Sequence, residues 1–155
     1  MSRGPTRLSL TVQYAVAPRG LPARALLRRW VRAALLPATR RAMITLRFVG
    51  AAEGRELNRR YRSRPQATNV LSFVYDDERG TCGGDIVLCA PVLRREAAAQ
   101  GKPVTAHCAH LVVHGVLHVQ GADHQDPDDA ARMEARESAI LAQLGFPDPY
   151  QPRER

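Results

Sequence analysis

The sequence predicts a single α+β domain spanning residues 1–155. Four short segments carry strand-like patterns, and five longer ones repeat their apolar residues at helical spacing. The two kinds interleave, and a short loop joins the third and fourth strands as an antiparallel hairpin. No linker is long enough to divide the chain, and 155 residues suffice for a substantial core.

Leu8, Leu10, Val12 and Tyr14 alternate with Ser9, Thr11 and Gln13, which reads as a half-buried strand. Pro22 then opens a helix with the apolar face Leu27, Trp30, Val31, Ala34 and Leu35, and Pro37 ends it. Met43–Val49 is the second strand, and a helix follows from about Ala52 to Tyr61. Val70–Tyr75 and Asp85–Cys89 are the remaining strands, joined by an acidic loop with glycines. Pro91 begins a helix that stops at Gly101. Thr105 is the expected N-cap of a deeply buried helix carrying Leu111, Val112, Val113, Val116 and Leu117. Asp126-Pro127-Asp128-Asp129 starts the last helix, with Met133, Ile140, Leu141 and Leu144 inward and Gly145 as its stop. The tail from Pro147 is expected on the surface.

The formal charge of +8 is divided unevenly. Residues 1–64 carry fifteen arginines against Glu53 and Glu56, a net of +13, and residues 65–155 a net of −5. That asymmetry suggests a polyanion-binding surface beside a separate chemical half, although an arginine- and alanine-rich chain is also what a GC-rich genome produces. No apolar run approaches the roughly 20 residues of a membrane span. Leu8–Tyr14 is too interrupted for a signal peptide. Cys82, Cys89 and Cys108 are odd in number and irregular in spacing, as expected of free thiols in a reducing cytoplasm.

All five histidines lie between His107 and His124. His114, His118 and His124 read H-x3-H-x5-H. The first two share a helix face, and Gly121 can turn the chain so that the third swings back. Three neutral imidazoles with a fourth position left to water is the layout of a catalytic zinc site, one ion per chain. A set of His110, His114 and His118 would stretch over about 12 Å of helix axis, too far for one ion. His107 and His110 are therefore expected to support the ligands, pack, or face substrate. The H-E-x-x-H peptidases place a glutamate after the first histidine as general base, and here that residue is Gly115. A phosphodiester substrate needs less from such an acid if cations stabilise its charged transition state, and Arg62 is the arginine placed for that.

Several segments resemble the YbeY family of bacterial metal-dependent endoribonucleases. His114-Gly115-Val116-Leu117-His118 through Gly121-Ala122-Asp123-His124 is similar to the family's HGxLHLxGYDH. Leu57-Asn58-Arg59-Arg60-Tyr61-Arg62 resembles LNxxYR, Thr68-Asn69-Val70-Leu71-Ser72-Phe73 resembles T[DN]VLSF, and Gly84-Asp85-Ile86 resembles GDI. Met133, Glu137, Leu144-Gly145 and Asp148-Pro149-Tyr150 match the closing helix and tail. The resemblance implies a four-stranded mixed sheet packed with about five helices in a zincin-like arrangement. It implies His114, His118 and His124 as zinc ligands and Arg62 as a functional arginine beside them. It also implies cytoplasmic cleavage of single-stranded RNA in ribosomal RNA maturation, at the 16S 3′ end, and in ribosome quality control. The small ribosomal subunit and its assembly factors would be the partners. Val119 stands in place of the family's Leu and Ala122 in place of its Tyr, which alters the turn without touching a ligand.

Other roles follow for neighbouring residues. Asp85 either caps a turn or takes part in the chemistry; Asn69 and Ser72 either bond locally or meet RNA; Asp123 either orients an imidazole or holds the turn. Two further functions compete with RNA cleavage. A ribosome-assembly factor with a structural zinc would bury all its ligands. A zinc hydrolase with a peptide or other non-RNA substrate would have a cleft without flanking arginines.

Overall fold

The structure is a computed structural model. It describes residues 6–62, 70–75, 80–121 and 127–150, with the backbone alone for Tyr61 and Arg62. Four strands, β1 (Arg7–Tyr14), β2 (Arg41–Val49), β3 (Val70–Val74) and β4 (Thr81–Cys89), form one mixed sheet in the order β1-β2-β4-β3. β1, β2 and β4 run parallel, and β3 is antiparallel to β4. The five helices are α1 (Arg24–Ala33), α2 (Ala51–Arg62), α3 (Ala90–Ala99), α4 (Val104–Val119) and α5 (Pro127–Gln143). The expected mixed α+β architecture is borne out. A parallel β1–β2 pair needs a crossover, and α1 supplies it.

The core lies between the sheet and helices α1 and α4. Ile44, Leu46 and Phe48 of β2 and Ile86 and Leu88 of β4 pack with Leu27, Trp30 and Val31 of α1 and with Val112, Val113, Val116 and Leu117 of α4. These helical residues are the ones that the apolar periodicity turns inward. Two glycines let α4 approach the sheet closely. A Cβ on Gly115 would stand 3.0 Å from Ile86 Cγ2, and one on Gly84 would stand 2.6 Å from the Phe73 carbonyl and 3.0 Å from Val119 Cγ2.

Several boundaries differ from expectation, although α5 opens on Pro127 as expected. β4 begins at Thr81 rather than Asp85, because Thr81–Gly84 pair with Arg41–Ile44 of β2. Asp85 thus lies within a strand and caps no turn; the Tyr75 hydroxyl hydrogen-bonds to it. α4 begins at Val104 with Pro103 as its N-cap, so Thr105 falls inside the first turn; the Pro103 carbonyl accepts from His107 N at 3.2 Å. α1 begins at Arg24, while Pro22 precedes it and its carbonyl accepts from the Tyr14 hydroxyl at 2.5 Å. The proposed cap Asp126 of α5 lies outside the described residues.

The three cysteines are buried free thiols, and burial pushes the Cys108 thiol up to about 12. No helix among the described residues is long and apolar enough to cross a membrane.

Candidate metal centre

α4 is so thoroughly packed that its few open positions define a site. Between His107 and Val119 every residue is buried except His110, His114 and His118. Their i, i+4, i+8 spacing puts the three rings on one stripe along the helix. Histidine is thus the only side-chain type that this part of α4 offers to solvent.

The end of the helix is fixed by Gln120. Its Oε1 accepts from Leu36 N at 2.7 Å and Thr39 Oγ1 at 2.8 Å. Its Nε2 donates to the carbonyls of Ala34 at 2.8 Å and Val116 at 3.0 Å. The amide uses both acceptor sites and both donors, which ties α4 to the end of α1. Gly121 follows with φ of +100°, as the expected turn requires.

Glu137 of α5 organises the histidines. Its side chain is 1% exposed, against 29% for His114. Glu137 Oε1 lies 2.5 Å from His114 Nδ1, and Oε2 lies 3.3 Å from His110 Nε2 and accepts from the Tyr150 hydroxyl. Burial pushes this carboxyl up, but the hydrogen bonds from His110, His114 and Tyr150 outweigh burial and hold it at about 2. An ionised carboxylate only accepts, so His114 Nδ1 carries the proton and donates. Burial, and then the Glu137 hydrogen bond, raise the Tyr150 phenol well above its ordinary range. Tyr150 therefore donates as a neutral hydroxyl.

The histidines differ in their surroundings. His107 is buried, with Nε2 2.9 Å from Glu96 Oε1, and burial lowers its pKa. His110 turns Nε2 to Glu137 and Tyr150. His114 and His118 are left one turn apart on the open stripe. A donor set of neutral imidazoles, one of them already oriented through Nδ1 by a carboxylate, fits a borderline-soft cation such as zinc. His124 and Asp123 lie outside the described residues, as do Ala122, Thr68 and Asn69 and the side chain of Arg62. Ser72 is a half-buried member of β3.

Glu137, Tyr150 and Gln120 had no assigned role in the sequence reading. The available signal was Glu137 itself, a carboxylate four residues after Met133 on the otherwise apolar stripe of α5. The tail from Pro147 lies at the surface as expected, with Tyr150 43% exposed, and the Tyr150 hydroxyl still reaches that buried carboxylate.

The comparisons agree with the fold and motifs. A profile of the family described as Endoribonuclease YbeY matches residues 21–145. A protein of that name from Aromatoleum aromaticum is 55% identical over 148 residues, covering 94% of this chain and 94% of its own. Another from Herminiimonas arsenicoxydans is 53% identical over 152 residues, covering 93% of this chain and 96% of its own. A solution structure from Thermotoga maritima is similar in fold, with a TM-score of 0.55 at 17% identity, over 93% of this chain and 100% of that one.

Proposed function

The chain belongs to the endoribonuclease YbeY family, and we propose that it cleaves single-stranded RNA at a zinc centre held by His114, His118 and His124. We further propose that its substrate is ribosomal RNA during maturation at the 16S 3′ end, with a role in ribosome quality control. The small ribosomal subunit and its assembly factors would be its partners, in the cytoplasm.

The observation that carries the hydrolytic reading is the histidine stripe on α4. His114 and His118, with His110, are the partly exposed residues of a stretch, His107–Val119, that is otherwise buried. A purely structural zinc closes its ligands away; partly open ligands leave room for water and substrate. When bound, such an ion lowers the pKa of its water to about 7 and polarises a phosphoryl oxygen. Glu137 meets His114 at Nδ1, which would leave the Nε2 lone pair for an ion. Gly115 cannot act as a base, and it faces Ile86 rather than the stripe. Charge on the phosphoryl group under attack therefore falls to cationic groups, with Arg62 at the end of α2 the assigned one.

The test uses purified protein with matched single-stranded and duplex RNA. Cleavage of the single strand and sparing of the duplex is the expected result. The new ends also report the nucleophile: a 5′-phosphate marks water, whereas a cyclic or 3′-phosphate marks the ribose 2′-hydroxyl. Equal cutting of both substrates, or none of either, would contradict the proposal.

A further inference from the structure

Tyr150 sits at the end of an ordered turn that folds back over α4 and α5. Gly145, with φ of +89°, ends α5, and Phe146 N donates to Leu141 O at 2.8 Å. Phe146 packs edge-on against Trp30, ring centroids 5.8 Å apart. Asp148 accepts from Ser138 Oγ at 2.8 Å and from Tyr150 N at 2.9 Å. These contacts set the Tyr150 ring edge-on to His110, with centroids 5.3 Å apart and planes at 87°. The Tyr150 hydroxyl meets Glu137 Oε2 and lies 3.1 Å from His110 Nε2.

A glutamate carboxylate turns easily about its last torsion, because that well is broad. Holding Oε2 between two donors stops that rotation and fixes where Oε1 points. Oε1 points at His114 Nδ1. We infer that Tyr150, with His110, is a positioning residue of the site: it clamps Glu137 so that His114 stays in the tautomer whose Nε2 carries the ligating lone pair. The C-terminal turn is thereby a working part of the centre. The effect on zinc rests on the metal reading proposed above; the effect on the tautomer does not.

Outer partners of this kind typically change metal affinity by about 10–100-fold. The test compares wild type with Tyr150→Phe, Glu137→Gln and Tyr14→Phe, the last removing a phenol bond to Pro22 far along the chain. Zinc affinity is measured by competition with a chromophoric chelator. The His114 tautomer is read in zinc-free protein labelled with ¹⁵N-histidine, by long-range nitrogen–proton correlation. Wild type should show His114 with its proton on Nδ1. Tyr150→Phe should mix the tautomers and bind zinc about tenfold more weakly, Glu137→Gln should lose more, and Tyr14→Phe should match wild type. A Tyr150→Phe protein with wild-type tautomer and affinity overturns the inference. If no protein binds zinc yet the tautomer shifts in Tyr150→Phe, the clamp stands and the zinc reading fails.

Discussion

Gly115 occupies the position where the H-E-x-x-H peptidases keep their base, and a Cβ added there would stand 3.0 Å from Ile86 Cγ2. A side chain there would press on the sheet, so the site has no acid to spare at that point. The role proposed for Arg62 follows from that gap. A forked guanidinium can meet two oxygens of a phosphoryl group at once. Arg62→Ala should keep its fold and zinc, bind RNA within a few-fold of wild type, and cleave at least about tenfold more slowly; loss of a preorganised donor costs on the order of 10²–10³ in rate. Arg62→Lys should restore only part, since a point charge lacks the fork. Single-turnover cleavage at saturating enzyme checks this, and a wild-type rate for Arg62→Ala would remove Arg62 from the chemistry. The two proposed ligands on α4 were legible because their spacing alone puts them on one face. The separation of His110 from His114 was legible only in part. It depends on Glu137 and Tyr150, which reach α4 from 27 and 40 residues away from His110. Periodicity reports that position 137 faces inward, but not which histidine it meets.

At the scale of elements, α4 holds its stripe in place because it lies so close to β4. Gly84 sets that distance on the strand side. Gly84→Ala would put a methyl 2.6 Å from a backbone carbonyl that cannot rotate out of the way, so β3 and α4 must shift. We expect a loss of about 1–3 kcal/mol, as for other overpacked positions, which lowers Tm by roughly 2–4 °C per kcal/mol in a domain of this size. Thermal melts of zinc-free protein measure it. An unchanged Tm would mean that the approach of α4 to the sheet is looser than the structure shows. The strands and helices were readable from their periods. The first four residues of β4 were not, because Gly83 and Gly84 carry no side-chain pattern and look like loop. Their pairing with β2 is a long-range match that a local window does not contain. The start of α4 was misplaced for a related reason: Thr105 is a good cap by type, but Pro103 already has the extended φ of −60° and ψ of 146° that a cap needs.

Across the whole molecule, the arginine-rich half divides into arginines that bond the fold and arginines left exposed. Arg24 lies 4.9 Å over the Tyr14 ring and donates to Val12 O at 3.4 Å, and Arg32 donates to Thr6 O at 3.3 Å. Both cover the open edge of β1, where bare carbonyls would invite another strand. Arg28 and Arg29 are exposed on α1, and Arg59 and Arg60 pair with Glu56 on α2. Exposed pairs of that kind are worth little, so those guanidiniums can turn to phosphate. RNA affinity should therefore fall steeply with salt, with a log–log slope of about −0.7 per phosphate contact on a single strand. Replacing the arginines of the 59–64 run should flatten that slope more than replacing Arg28, Arg29 and Arg32. A flat salt dependence in the wild type would show that this half is not the RNA face. If the proposal holds, the open stripe of α4 carries the metal at which RNA is cleaved. The most direct measurement is bound zinc and RNA cleavage, determined on the same preparations of wild type, His118→Ala and His110→Ala. Expected are about one zinc per chain and cleavage in wild type, neither in His118→Ala, and in His110→Ala a zinc that is still bound at stoichiometric loading although about tenfold more weakly. Full zinc and full cleavage in His118→Ala would contradict it.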